Sequence, residues 1–113
     1  MPTPIARANF DVGVLSYNRA RQTLGCVLSF LNEEIQPNII VLDQGSATAQ
    51  REFLEDALRS HPNVRLIALP ENIGVAAGRN RLCRECSAEW ILFVDNDVTL
   101  NTAGGVGLIN SAI

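Results

Sequence analysis

The sequence predicts an open α/β sheet, mostly parallel, with helices on both faces. Three observations predict it. Short apolar runs rich in β-branched residues alternate with stretches of helical period, the pattern of strand–helix–strand units. Each run ends in polar or acidic residues, which gathers chemistry at one end of such a sheet. The run Trp90-Ile91-Leu92-Phe93-Val94 is wholly apolar, as suits a strand buried on both faces, and it stops abruptly at Asp95-Asn96-Asp97.

The first strand is expected over Phe10 to Ser16, closed by Tyr17-Asn18, residue types suited to a turn and a helix N-cap. Leu24, Val27, Leu28 and Leu31 recur at spacings of three and four, which predicts a helix reaching Asn32; Pro37 forbids its continuation. Ile39 to Leu42 is a second strand ending at Asp43. Gln44-Gly45-Ser46 turns the chain, Ser46 or Thr48 offers a cap, and Phe53, Leu54, Ala57 and Leu58 stripe a second helix ending near Ser60. His61, the only histidine, sits in the breaking loop beside Pro62 and is expected to be solvated rather than catalytic. Val64 to Leu69 is a third strand, with Arg65 reaching solvent. The loop Pro70-Glu71-Asn72-Ile73-Gly74 leads into a third helix over Val75 to Cys86, carrying Arg79 and Asn80. After the fourth strand, Val98 to Asn101 reads as a short returning strand. The whole of 98–113 is a poorly patterned tail, small and glycine-rich from Thr102 onward.

At 113 residues and 47% hydrophobic, residues 1–113 make a single domain with one core, short for an enzyme that handles two substrates. The formal charge of -3 argues against a nucleic-acid partner, which selects a clustered basic excess. All 9 basic residues are arginines, which removes mechanisms built on a Schiff-base or phosphate-loop lysine. No apolar run approaches the ~18 residues of a membrane span, and Met1 to Asn9 lacks the apolar core of a leader, so a soluble cytoplasmic chain is expected. With 3 cysteines a complete disulfide framework is not expected. Cys83-Arg84-Glu85-Cys86 has the spacing of a redox or zinc half-site but no second pair, so buried or half-buried structural roles are expected for the cysteines.

Ligands of open α/β sheets bind outside the carboxyl ends of the strands, where the strand order reverses. Ser16 and Tyr17, Asp43, Asn72, and Asp95 with Asp97 fall at those ends. Two carboxylates so close repel each other, and a hard divalent cation relieves the repulsion; a plain Asp-Asn-Asp turn is the alternative. Arg79 is suited to a phosphate or nucleobase, or to a surface ion pair. Other nucleotide and metal sites fail on the letters. Leu15-Ser16-Tyr17-Asn18-Arg19 has no glycine for a dinucleotide turn or a phosphate loop. A phospho-receiver lacks its paired acids after the first strand and its lysine. A calcium loop starting at Asp95 would need glycine where Leu100 stands and glutamate where Val106 stands.

Four stretches in order resemble family 2 glycosyltransferases of the GT-A fold. Ser16-Tyr17-Asn18-Arg19 is similar to that family's Thr/Ser-Tyr-Asn-Arg, and Val41-Leu42-Asp43-Gln44-Gly45-Ser46 to its Val-Val-Asp-x-Gly-Ser. Glu71-Asn72-Ile73-Gly74 with Ala77-Gly78-Arg79-Asn80 is similar to its Asn-x-Gly and Ala-x-Arg-Asn. Phe93-Val94-Asp95-Asn96-Asp97 is similar to its Asp-x-Asp motif. The resemblance spans Phe10 to about Asp97. It implies a metal-dependent, inverting transfer from a nucleoside-diphosphate sugar, commonly a uridine one, to an acceptor hydroxyl on a saccharide, lipid or protein. It implies that Ser16, Tyr17 and Asp43 hold the base, that Arg79 flanks base or phosphates, that Asp95 reaches the ribose or metal, and that Asp97 ligates Mg2+ or Mn2+. The family's catalytic base lies further along the chain, and no Asp or Glu follows Asp97 here. An amino-terminal donor-binding portion is therefore expected, with an apolar sheet edge prone to homo-oligomer formation. The alternative is a non-catalytic assembly module, and a nucleotidyltransferase would want a glycine-rich basic loop after the first strand.

Overall fold

A computed structural model describes residues 6–113. Ten elements follow in order: β1 (Ala6–Arg7), β2 (Phe10–Ser16), α1 (Ala20–Phe30), β3 (Ile35–Gln36), β4 (Ile39–Gln44), α2 (Thr48–Leu58), β5 (Val64–Leu69), α3 (Gly74–Glu85), β6 (Trp90–Val94) and α4 (Gly105–Ala112). The main sheet has the order β5-β4-β2-β6 and every pair in it is parallel. The chain thus runs outward from β2 through β4 to β5, then α3 carries it back to β6 on the other side of β2. The strand order reverses between β2 and β6, as the alternation of strands and helices predicts.

Alternation along each strand divides the core in two. On one face Phe10, Val12 and Val14 of β2, with Ile39 and Val41 of β4, pack against Cys26, Val27 and Phe30 of α1 and Leu54 and Leu58 of α2. On the other, Ile40 and Leu42 pack against Leu82 of α3. Gly13 allows this second contact: a Cβ there would come within 3.1 Å of both Leu82 and Ile91. Gly78 lets α3 sit close to the sheet in the same way, against Leu15 and Gln44.

Several expectations are corrected. β6 is an edge strand rather than a doubly buried one, with Trp90 55% and Phe93 38% exposed; the strands buried on both faces are β2 and β4. An edge strand and a central one carry the same apolar letters, because the letters record what is to be covered and not by what. Val98 to Asn101 forms no strand: the Leu100 N–H donates to the Ser29 hydroxyl (2.9 Å), which ties the segment to α1 instead of a sheet. Residues 105–112 form α4, whose Val106 is fully buried and whose Ile109 packs beside it. Its stripe is short and interrupted by Gly107, which hid the period. The cap of α2 is Ala47, with no side-chain capping bond, because Ser46 is engaged elsewhere. Cys83 is exposed, whereas Cys86 is half-buried and Cys26 buried. The two-residue parallel pairing of β1 with β3 had no periodic signal to reveal it.

Candidate donor site

Three loops at the carboxyl ends of β2, β4 and β5 are laced into one platform. Asn18 has a left-handed backbone (φ 52°), a conformation that asparagine tolerates better than most residues. Its N–H donates to the Ser46 hydroxyl (2.9 Å), and its Oδ1 accepts from the Ala47 N–H (2.7 Å). The Ser46 hydroxyl donates onward to the Asp43 carboxylate, which also accepts the Ser46 N–H at 3.3 Å. Gln44, buried, reaches the third loop: its Oε1 accepts from the Ile73 N–H (3.0 Å) and its Nε2 donates to the Gly74 carbonyl (3.4 Å). Gly45 (φ +72°) is required where the loops touch, since a Cβ there would lie 2.7 Å from the Glu71 Cα.

Beside this platform, at the reversal of strand order, lies a cleft of about 340 Å³. Leu15 and Arg19 line it from the β2 side, Val75 and Arg79 from α3, and Phe93, Asp95 and Asp97 from the end of β6. Asp95-Asn96-Asp97 is a turn as well, closed by the Val98 N–H donating to the Asp95 carbonyl (3.0 Å). The turn reading of the stretch is observed, and the turn places both acids at the cleft. The Arg79 guanidinium lies 5.4 Å from the centroid of the Phe93 ring, a cation–π contact that holds it over the cleft wall. Among the described residues, no ion pair involves Arg19, Arg79, Asp95 or Asp97. The field of the two acids is felt beneath the cleft, where burial foremost, then Asp97 and Asp95, push the Cys26 thiol up to about 11.

The residues singled out from sequence divide into two groups. Arg79, Asp95 and Asp97 share the cleft. Ser16, Tyr17 and Asp43 do not line it. Ser16 is buried with its hydroxyl hydrogen-bonded to that of Thr23 (2.7 Å), so its side chain is already engaged. Asp43 exposes no surface, and its carboxylate is engaged by the hydroxyl and the N–H of Ser46. Tyr17 is 49% exposed. Asn72 caps the loop before α3, its Oδ1 accepting from the Gly74 N–H (2.8 Å). Arg19, Val75 and Gln44 were missed as site residues. Arg19 and Gln44 stood inside stretches already singled out, and only the three-dimensional neighbours reveal what they touch.

Among the described residues no group of three or more His, Cys, Asp or Glu side chains is placed to hold a metal. Asp95 and Asp97 offer hard oxygen donors, which suit Mg2+ or Mn2+ when phosphate and water complete the shell. The two carboxylates fit a cation that arrives with a phosphorylated ligand and fit a dedicated all-protein metal site poorly.

The profile of Glycosyl transferase family 2 matches residues 11–103. The chain is 30% identical over 86 residues to a teichoic acid poly(glycerol phosphate) polymerase of Staphylococcus epidermidis, an overlap of 74% of this chain and 12% of that protein. It is 32% identical over 94 residues to an N-acetylglucosaminyltransferase of Rhizobium sp. strain N33, covering 80% of this chain and 21% of that one. Among solved structures, the mannosyltransferase PcManGT from Pyrobaculum calidifontis, in complex with GDP-Man and Mn2+, superposes with a TM-score of 0.77 at 19% identity, over 97% of this chain and 34% of that chain. Staphylococcus aureus TarS 1-349 does so with a TM-score of 0.77 at 23% identity, over 90% and 31%. At these identities the structures speak for the fold, and the chain spans about a third or less of the proteins it matches. The chain belongs to glycosyl transferase family 2.

Proposed function

We propose that this chain is the donor-binding portion of a glycosyltransferase, taking a nucleoside-diphosphate sugar, a uridine one foremost, together with Mg2+ or Mn2+. One observation carries the reading: two arginines and two aspartates, all without an ion-pair partner among the described residues, face one cleft where the strand order reverses. Exposed charge of both signs at one cleft is open to a ligand that carries both complements, as a diphosphate with a divalent cation does. Asp97 is the proposed metal ligand and Asp95 contacts ribose or metal. Arg79, braced by Phe93, and Arg19 meet phosphate oxygens. Tyr17 offers an exposed ring to the base, Asp43 accepts its ring N–H after Ser46 shifts, and Ser16 contributes main-chain groups.

The bound cation supplies Lewis-acid stabilisation of the charge that develops on the leaving diphosphate. The arginines add fixed positive charge in the same place, and inversion at the sugar carbon follows from a single displacement by the acceptor hydroxyl. No Asp or Glu follows Asp97 in this sequence, and no general base is assigned among these residues. The exposed edge of β6, with Trp90 and Phe93, is the proposed face for self-association, which concentration-dependent sedimentation tests.

Calorimetric titration with UDP in the presence of Mn2+ tests the donor site. Binding that weakens sharply with EDTA is expected, and no binding of UDP, GDP or dTDP with either metal overturns the reading. The second reading is a nucleotide-binding assembly module without activity of its own. Sugar transfer or donor hydrolysis by the purified chain rules that out.

A further inference from the structure

We propose that Cys83 and Cys86 are a reversible dithiol/disulfide site at the end of α3, a modification site separate from the donor cleft. The geometry carries it. Cys83 lies in the last turn of α3, and Cys86 is the C-cap residue, leaving the helix in an extended conformation (φ -68°, ψ 134°). The Cys86 N–H donates to the Cys83 carbonyl at 3.3 Å. A four-residue turn closed this way keeps its end Cα atoms within about 7 Å. A disulfide spans Cα atoms about 4.4–6.8 Å apart, so the pair can close with side-chain rotation and little movement of the backbone.

Access differs between the two sulfurs and sets an order of events. Cys83 is exposed, Cys86 is half-buried, and Cys26 is buried under the donor cleft, away from this turn. The Cys86 thiol donates to the Ala88 carbonyl (3.3 Å) and lies 3.8 Å from that of Trp90, in the link from α3 to β6. Burial and the neighbouring Asp11 carboxylate raise the Cys86 thiol above its ordinary value, which makes it the slower of the two to attack from solvent. The oxidant is a low-molecular-weight disulfide. The Cys83 thiolate attacks one of its sulfurs, forming a mixed disulfide and releasing one thiol. The Cys86 sulfur then attacks Cys83, breaks the mixed disulfide and releases the second thiol; the two protons lost by the cysteines end on the two released thiols. Closure withdraws the S–H donor from the carbonyls of the link, so the start of β6 feels the change while Asp95 and Asp97 lie at its other end.

Equilibrating the purified chain in glutathione buffers of graded ratio, then quenching, alkylating and digesting with trypsin, tests the site. Cleavage after Arg84 separates the two cysteines, so a disulfide is read directly as the peptide Leu82–Arg84 linked to the peptide that begins at Glu85. The linked pair is expected under oxidised glutathione, reversible by excess reduced glutathione, with Cys26 alkylated only after denaturation. Emission of the sole tryptophan, Trp90, should change with the same midpoint. Cys86→Ser should stop at a stable glutathione adduct on Cys83, and Cys83→Ser should form no adduct at Cys86 on the same timescale. Oxidation that yields a disulfide-linked dimer, or glutathione adducts on the unaltered chain without the linked pair, overturns the proposal.

Discussion

Asp97 and Asp95, exposed at the cleft, have no arginine partner among the described residues, whereas Glu55, Asp56 and Glu85 each have one. If a cation-bearing ligand relieves their mutual repulsion, as proposed, removing one charge acts oppositely on stability and on binding. Asp97→Asn is expected to leave the thermal midpoint unchanged or slightly raised, and to weaken UDP binding in Mn2+ at least tenfold, about 1.4 kcal/mol, by calorimetry. Equal affinities for the two proteins would remove Asp97 from the metal site. Gly45 shows a different kind of dependence. Alanine there meets both an unfavourable φ of +72° and the Glu71 backbone 2.7 Å away. The expected cost, read from urea unfolding, is about 2–4 kcal/mol, from left-handed strain and overpacking together. The sequence-based reading found the acids because charge beside an apolar run is conspicuous. It could not find that the Ser16 hydroxyl and the Asp43 carboxylate are spent on Thr23 and Ser46, since such short-range side-chain bonds are fixed by the folded loops and leave no periodic mark.

The elements were legible where a stripe or run was long. β2 and β5 fall on the expected residues, β6 ends at the expected acid, and α1, α2 and α3 end one or two residues short of their expected limits, as fraying helix ends do. β3 and α4 were not legible, the first because two residues carry no period and the second because glycines break its stripe. The end of α3 is held by charge: Glu85 Oε2 meets Arg65 at 2.7 Å, across from β5, and its Oε1 meets Arg81 at 3.0 Å, one turn back. The hydrogen bond from Arg81, reinforced by the nearby Arg65, holds the Glu85 carboxyl below its ordinary value. A depressed native value means that the unfolded chain binds the proton first on acidification. The Glu85 contribution is therefore complete above the ordinary glutamate range and is lost as pH falls below it, through the native value. Glu85→Gln should lower stability at neutral pH and flatten the acid limb of a stability–pH curve measured by urea unfolding. An acid limb as steep as that of the unaltered chain would show that the two arginines do not hold this carboxylate in solution.

At the scale of the whole molecule, the candidate site exists only when the sheet does. Its groups run from Arg19 to Asp97 in sequence, and the loops between them are held by Asn18, Gln44 and Gly45 rather than by rigidity of their own. The unfolded chain cannot assemble such a site, so a donor nucleotide that binds the cleft must stabilise the fold by mass action. At ligand concentrations a hundredfold above Kd the gain is about 2.7 kcal/mol, which for a domain of this size raises the thermal midpoint by about 10 °C. UDP with Mn2+ should produce that shift, EDTA should abolish most of it, and UDP alone should leave the small remainder supplied by Arg19 and Arg79. Asn18→Ala separates platform from cleft. Asn18 does not itself line the cleft, yet its loss removes the acceptor for the Ala47 N–H and loosens the loops that would carry the base. Its own midpoint should fall, and the shift produced by UDP and Mn2+ should shrink because binding must first reorder those loops. A full shift on a lowered midpoint would instead mean that the cleft alone binds the nucleotide and that the Asn18–Ser46–Asp43 platform serves folding only.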